Sequence, residues 1–289
     1  MKPRTDIKKE IQRLDPKADC QRIVFLTSFM EFPWDMTRAL ELALFRTFAV
    51  PSIAKLLDKT GEFTDHTLKR YDDTAIIINE IMTFGYDSER GQTFIKRMNR
   101  IHGQYEISND DFLYTLSTFV FEPIRWIDNF GWRALYQKER EALFYFWREV
   151  GERMRINDIP ETYEAFKARS LDYEEKMFAC EEATRRIANP TRDLLLSFYL
   201  PKALWKSAEP LVYALMDERL LKAMDYPAPS KTTRQRVEAI MKARSKLVKM
   251  LPRRKTPQIT ALLRYDSYPD GYTVDDIGPE KFVKKWASK

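Results

Sequence analysis

Apolar residues recur along the chain at helical spacing, and the segments they mark are long. Pro33-Trp34-Asp35 reads as a helix start with Asp35 as N-cap. The run that follows, through Leu40, Leu42, Leu44, Phe45, Phe48 and Leu56-Leu57, is apolar on more than one face and is expected to be buried, with a kink at Pro51. Thr64 is placed to cap a helix running to about Phe84, which Gly85 closes. Ser88 opens the next helix, to His102 before Gly103. Ser108, with Asp111 three residues on, resembles a capping box for a helix to about Asn129. Further helical patterns cover Gln137–Met154, Tyr163–Ile187, Thr191–Leu200, Ala208–Met224 and Arg234–Leu251. The class is all-α.

Composition agrees with long helices on short connections: of 289 residues only 8 are glycine, while 44% are hydrophobic. With no repeat and no Gly/Ser linker, the pattern predicts one large helical domain over residues 33–252. An N-terminal helical segment, 1–32, precedes it, and a C-terminal arm, 253–289, contains the turn Tyr268-Pro269-Asp270-Gly271-Tyr272. Two distant cysteines, Cys20 and Cys180, argue against a secreted disulfide framework. The charged start resembles no signal or transit peptide, and no apolar run approaches the ~20 residues that span a bilayer. The expected location is cytoplasmic.

The formal charge is +6, but 43 acids are interspersed with 49 bases, a solvated mixed surface and not a nucleic-acid footprint. Lys231–Lys255 is the exception, with ten Lys/Arg residues and one acid, Glu238. Such a helix can lie on an anionic membrane, although an exposed basic face on a packed helix is the commoner use of this pattern.

Two histidines, His66 and His102, restrict the chemistry. HExxH is absent, and so are the paired Glu-x-x-His motifs of di-iron bundles: Asn99 and Phe63 stand three residues before the histidines. Neither cysteine sits in a recognisable nucleophile setting. Nucleotide cradles of the GxxxxGK[ST] or GxGxxG kind are missing. An aspartate-rich box is incomplete, since Asp72-Asp73 is followed by Ile76 and Asp110-Asp111 by Tyr114 where the third acid belongs. A cofactor that needs one protein ligand and an apolar pocket remains, and haem is the obvious case. His102 shares a helix face with Met98, Ile95 and Phe94. A lone histidine on such a face is more often a hydrogen-bonded core residue. Arg70 and Thr74 share a face four residues apart, and a buried arginine there needs an anion, either a haem propionate or an ordinary protein carboxylate.

Taken together, Lys69-Arg70-Tyr71-Asp72-Asp73-Thr74, then Gly85, then Asn99-Arg100-Ile101-His102-Gly103 resemble the signature block of the latex-clearing rubber oxygenases and MpaB. Ser108-Asn109-Asp110-Asp111-Phe112, Phe121-Glu122-Pro123 and Gly131-Trp132-Arg133 are similar to the MpaB branch. The resemblance spans roughly residues 30 to 270, with its discriminating motifs between 69 and 133. It implies a helical haem b protein that uses O2 to cleave a carbon–carbon double bond in an isoprenoid or other apolar chain. His102 would be the iron ligand, and Arg70 and Thr74 would shape the pocket. From position alone, Arg97 or Arg100 is expected to meet the propionates. Where the latex-clearing branch carries a lysine before the threonine, this chain has Asp73, which in a pocket would serve as acid or base and on a solvent face would do neither. The basic helix would supply the peripheral membrane contact of an unanchored chain. Two rivals stay open: a non-catalytic haem- or lipid-binding protein, and a metal–diphosphate enzyme of isoprenoids using Asp72 and Asp73.

Overall fold

A computed structural model describes residues 4–252, 254–259 and 265–287. The first three residues, Arg253 in the basic stretch, residues 260–264 and the last two lie outside them. Among the described residues no strand forms; Tyr265 and Tyr268 make one isolated bridge. The helices are α1 (Arg4–Arg13), α2 (Cys20–Phe25, continued as a π-helical turn Leu26–Glu31), α3 (Pro33–Phe48), α4 (Pro51–Thr60), α5 (Glu62–Asp65), α6 (Thr67–Phe84), α7 (Glu89–His102) and α8 (Asn109–Phe130). They continue as α9 (Gln137–Arg153), α10 (Tyr163–Met177), α11 (Glu182–Ser197), α12 (Trp205–Tyr213), α13 (Glu218–Met224), α14 (Lys231–Met250) and α15 (Glu280–Ala287).

Several ends follow local chemistry. Ser88 accepts from the Gly91 amide and Ser108 from the Asp111 amide, each satisfying an otherwise orphaned donor of the first turn. Gly85 ends α6 at φ 84°, a conformation that strains residues with a Cβ. Val50 is extended before Pro51, so α3 and α4 are separate helices where a kink was expected.

Other ends are set by tertiary partners and depart from the sequence pattern. Asp35 is no N-cap: α3 starts at Pro33, and the buried Asp35 carboxylate accepts from Trp126 Nε1 at 3.1 Å and Arg244 Nη1 at 2.8 Å, joining α3, α8 and α14. Thr64 caps nothing; its hydroxyl donates to the Gly61 carbonyl inside α5, and α6 begins at Thr67. Asp111 closes no capping box, because its side chain takes hydrogen bonds from Ser52 and Tyr173, both at 2.8 Å. The pattern over Tyr163–Ile187 breaks after Met177, where the Ala179 amide and the Thr184 hydroxyl bond the carbonyls of Ala49 and Phe48 at the end of α3. Thereafter α11 runs through Pro190 to Ser197. Ala208–Met224 likewise divides, with Asp217 capping α13 through the Leu220 amide.

Two apolar clusters form the interior. The larger joins α2, α3 and α6–α9 around Phe32, Ile76, Ile81, Val120, Phe146 and Trp147. The smaller joins the end of α3 to α5, α11 and α13 around Phe45, Phe48, Phe63, Ile187 and Met224. Two arginines, Arg46 buried and Arg133 half-buried, tie neighbouring elements together. Arg46 of α3 meets Glu122, Glu174 at 3.1 Å and Asp217. Arg133 bridges Glu31 at 3.1 Å and Glu139 at 2.6 Å. Such ties fix geometry more than they add net stability.

Candidate active site

A cavity of about 490 Å³ opens between the two clusters, within the size range of small-molecule sites. Phe48 and Phe63 come to it from the smaller cluster, and Ile77, Met98, Leu116 and Trp147 from the larger. Its wall is mainly apolar, so each polar group that faces it matters.

Arg70, Thr74 and His102 all line this cavity. Four residues apart on α6, Arg70 Nη1 donates to Thr74 Oγ1, which in turn donates to the Arg70 carbonyl at 3.0 Å. The guanidinium lies 5.0 Å from the centre of the Phe63 ring. Among the described residues no carboxylate forms an ion pair with it. Burial pulls its pKa down, with Asp73 and Glu62 acting in the opposite direction from farther off. An arginine so placed is a cation awaiting an anion.

His102 ends α7, its ring against Phe112 at 5.4 Å between centroids. Nδ1 is buried and has no hydrogen-bond partner. Burial pushes the imidazole pKa down to about 4, aided by the nearby charge of Arg70, so the ring is neutral at pH 7. The alternative of a hydrogen-bonded core histidine therefore does not describe it. A neutral imidazole with a lone pair to give is what a metal or haem iron requires. A second, more open cavity of about 510 Å³ is also lined by His102, together with Tyr105, Phe112, Lys96, Arg100 and Arg155. His102 is thus common to both linings. Gly103 beyond it has an ordinary φ of −65°.

The other expected residues are placed differently. Asp73 lines the cavity, but both its oxygens are occupied: Oδ1 by Lys69 and the Tyr268 hydroxyl, Oδ2 by Lys69 at 2.9 Å and the Gly278 amide at 3.2 Å. It fastens the C-terminal arm. Asp72 accepts from the Ser267 amide at 3.1 Å, doing the same. Among the described residues no three His, Cys, Asp or Glu side chains converge as a metal site. Arg97 does not reach the main cavity; it donates to the carbonyls of Ile277 and Asp275 at 2.8 and 2.6 Å and stacks on Trp286. Arg100 stacks on the same indole at 4.0 Å and lines only the second cavity.

The pattern along the chain does not reveal the arm's part. Gln258, Gly278 and Pro279 line the main cavity, with the Gln258 amide bonded to the Phe29 carbonyl at 2.8 Å. Glu41, Glu62, Tyr71 and Tyr105 also face it. The one signal for Glu41 is an acid set inside the apolar run Leu40-Glu41-Leu42.

Residues 35–245 match the family described as ER-bound oxygenase mpaB/B'/Rubber oxygenase, catalytic domain. The chain is 35% identical over 219 residues to the ER-bound oxygenase mpaB' of Penicillium brevicompactum, a match covering 70% of this chain and 52% of that protein. To the ER-bound oxygenase mpaB of Penicillium roqueforti (strain FM164) it is 33% identical over 218 residues, covering 69% of this chain and 73% of the relative. The mpaB of Penicillium brevicompactum is 31% identical, with 70% and 56% covered. The chain therefore spans about half the length of two of these relatives.

Proposed function

Because the chain belongs to the family of the ER-bound oxygenases mpaB and mpaB' and the rubber oxygenases, we propose that it is an oxidoreductase that cleaves a carbon–carbon double bond of an isoprenoid or other apolar substrate with O2, using haem b held by His102. The observation that carries the reading is the pairing of an unbonded, neutral His102 imidazole with an acid-free Arg70 guanidinium on the wall of one apolar cavity. Haem needs those two things of a protein, a ligand to iron and a counter-charge for a propionate, and the residues present fit it.

When bound, haem would supply the capacity to bind and activate O2. The chain's own residues do the rest. His102 stays unprotonated because of its burial and of Arg70, which keeps its lone pair available at neutral pH. Arg70, steadied by Thr74 and Phe63, presents a fixed cation to the propionate. Phe48, Phe63, Ile77, Leu116 and Trp147 exclude water and receive the substrate's hydrocarbon. Asp73 acts as a strut for the arm and not as acid or base, and Arg97 and Arg100 hold α15. The test is oxygen uptake by hemin-loaded protein with squalene, with carbonyl products sought by mass spectrometry. Uptake with matching carbonyl fragments is expected; hemin binding without O2 consumption across a range of prenyl chains would leave a haem-binding protein only.

A peripheral membrane position belongs to the same reading. Among the described residues no helix is long and apolar enough to cross a membrane. On α14, however, Ile240, Leu247 and Met250 are exposed beside the exposed Lys242, Lys246 and Lys249. Sedimentation with phosphatidylserine vesicles at low salt, lost at high salt, is the expected result, and its absence at low salt would remove this part.

A further inference from the structure

A second polar site faces the cavity on the side of α3. Glu41 is 6% exposed, yet only one of its oxygens is engaged: Oε1 accepts from Tyr71 at 2.8 Å and from Arg38 Nη2 at 2.5 Å. Among the described residues Oε2 has no hydrogen-bond partner, and it is not among the fully enclosed polar atoms that lack one. Glu41 lines the cavity, so the surface left to Oε2 is an open acceptor on a mainly apolar wall. Tyr71 donates its own proton to Glu41, and burial and the nearby carboxylate keep it protonated, so the charged acceptor of the pair is Glu41. Tyr71 also packs at a tilt against Phe198, 5.5 Å between ring centres, and follows Arg70 directly on α6.

We propose that Glu41 Oε2 is the polar anchor of the substrate cavity and takes the hydroxyl of an apolar ligand. The electrostatics select that class. A cationic head would meet Arg38 and Arg70, and a carboxylate would meet Glu41 itself; a neutral O–H donor completes the carboxylate without adding charge. Burial raises the Glu41 pKa to about 7 against the pull of Arg38 and Tyr71, so the acceptor is fully formed only on the alkaline side of neutrality. The inference rests on the cavity holding an apolar ligand but does not require haem.

The experiment is calorimetric titration of the purified protein at pH 8 with 1-decanol and with its methyl ether, which matches the chain but has no donor. Wild type is expected to bind the alcohol at least about tenfold more tightly, the effect of a hydrogen bond to a charged acceptor. In Glu41→Gln an amide N–H2 replaces the free oxygen, and the ratio is expected to fall to about one. A wild-type ratio near one would overturn the proposal, even if the variant failed to fold. A ratio unchanged in a folded Glu41→Gln would also overturn it. Hemin binding measured on the same samples reports separately on His102 and Arg70, so either reading can fail without the other.

Discussion

Replacing Arg70 by methionine separates what this residue does for the fold from what it does for a ligand. In the haem-free protein the guanidinium is partly desolvated with no ion-pairing acid, a burden only partly relieved by Thr74 and the Phe63 face. Those contacts offset it by about 1 kcal/mol for the hydrogen bond and about 1 kcal/mol for the ring, against several kcal/mol for a buried unpaired charge. Methionine fills similar space without charge, so Arg70→Met is expected to stabilise the haem-free chain by about 1 kcal/mol in urea unfolding. The same change removes a charge-assisted bond to the ligand, about 1.5–3 kcal/mol, which is roughly a tenfold to hundredfold weaker hemin affinity. The two effects have opposite signs, which is how a binding residue differs from a structural one. A variant destabilised by more than about 1 kcal/mol, or one with unchanged hemin affinity, would refute the reasoning.

Protonation of His102 gives a pH test. Its folded pKa, about 4, lies below the ordinary 6.5, so the unfolded chain takes the proton first. Stability present above pH 6.5 is lost as pH falls towards 4, by as much as about 3 kcal/mol. Haem-free wild type should therefore lose this much relative to His102→Phe between pH 7.5 and 4 in urea titrations; parallel curves would contradict it. Arg133→Met strands the buried Glu31 and Glu139, whose carboxylates both meet the guanidinium, and a loss of about 3–5 kcal/mol in unfolding free energy is expected. A Cβ at Gly91 would fall 1.9 Å from the Gly85 carbonyl oxygen, a backbone atom at the α6–α7 junction. Gly91→Ala should thus shift α7 against α6 and weaken hemin binding even in a folded variant, read from the hemin titration midpoint.

Local chemistry made much of the fold legible. The Ser88 and Ser108 caps and the Gly85 stop hold because each is decided within a few residues. Asp35 shows where that reasoning ends: it resembles a cap in every local respect, but Trp126 and Arg244, far along the chain, claim its oxygens. The break after Met177 is likewise written in the carbonyls of Phe48 and Ala49. In the site, Arg70, Thr74 and His102 are singled out through the resemblance to the family's signature block, and the fold brings all three to one cavity wall. Asp73 stands directly before Thr74, where the latex-clearing branch carries a lysine, and only the folded arm shows that Tyr268 and Gly278 occupy it. Glu41 and Tyr71 meet across thirty residues, a pairing that periodicity along either helix does not encode.

The absorption spectrum of purified protein, expressed with haem precursor as wild type and as His102→Ala, tests the central claim most directly. A Soret band is expected in wild type and is expected to be lost or strongly shifted in the variant, because no other described histidine lines the cavity. A colourless wild type that also fails to take up added hemin would contradict it, as would a Soret band unchanged by the substitution.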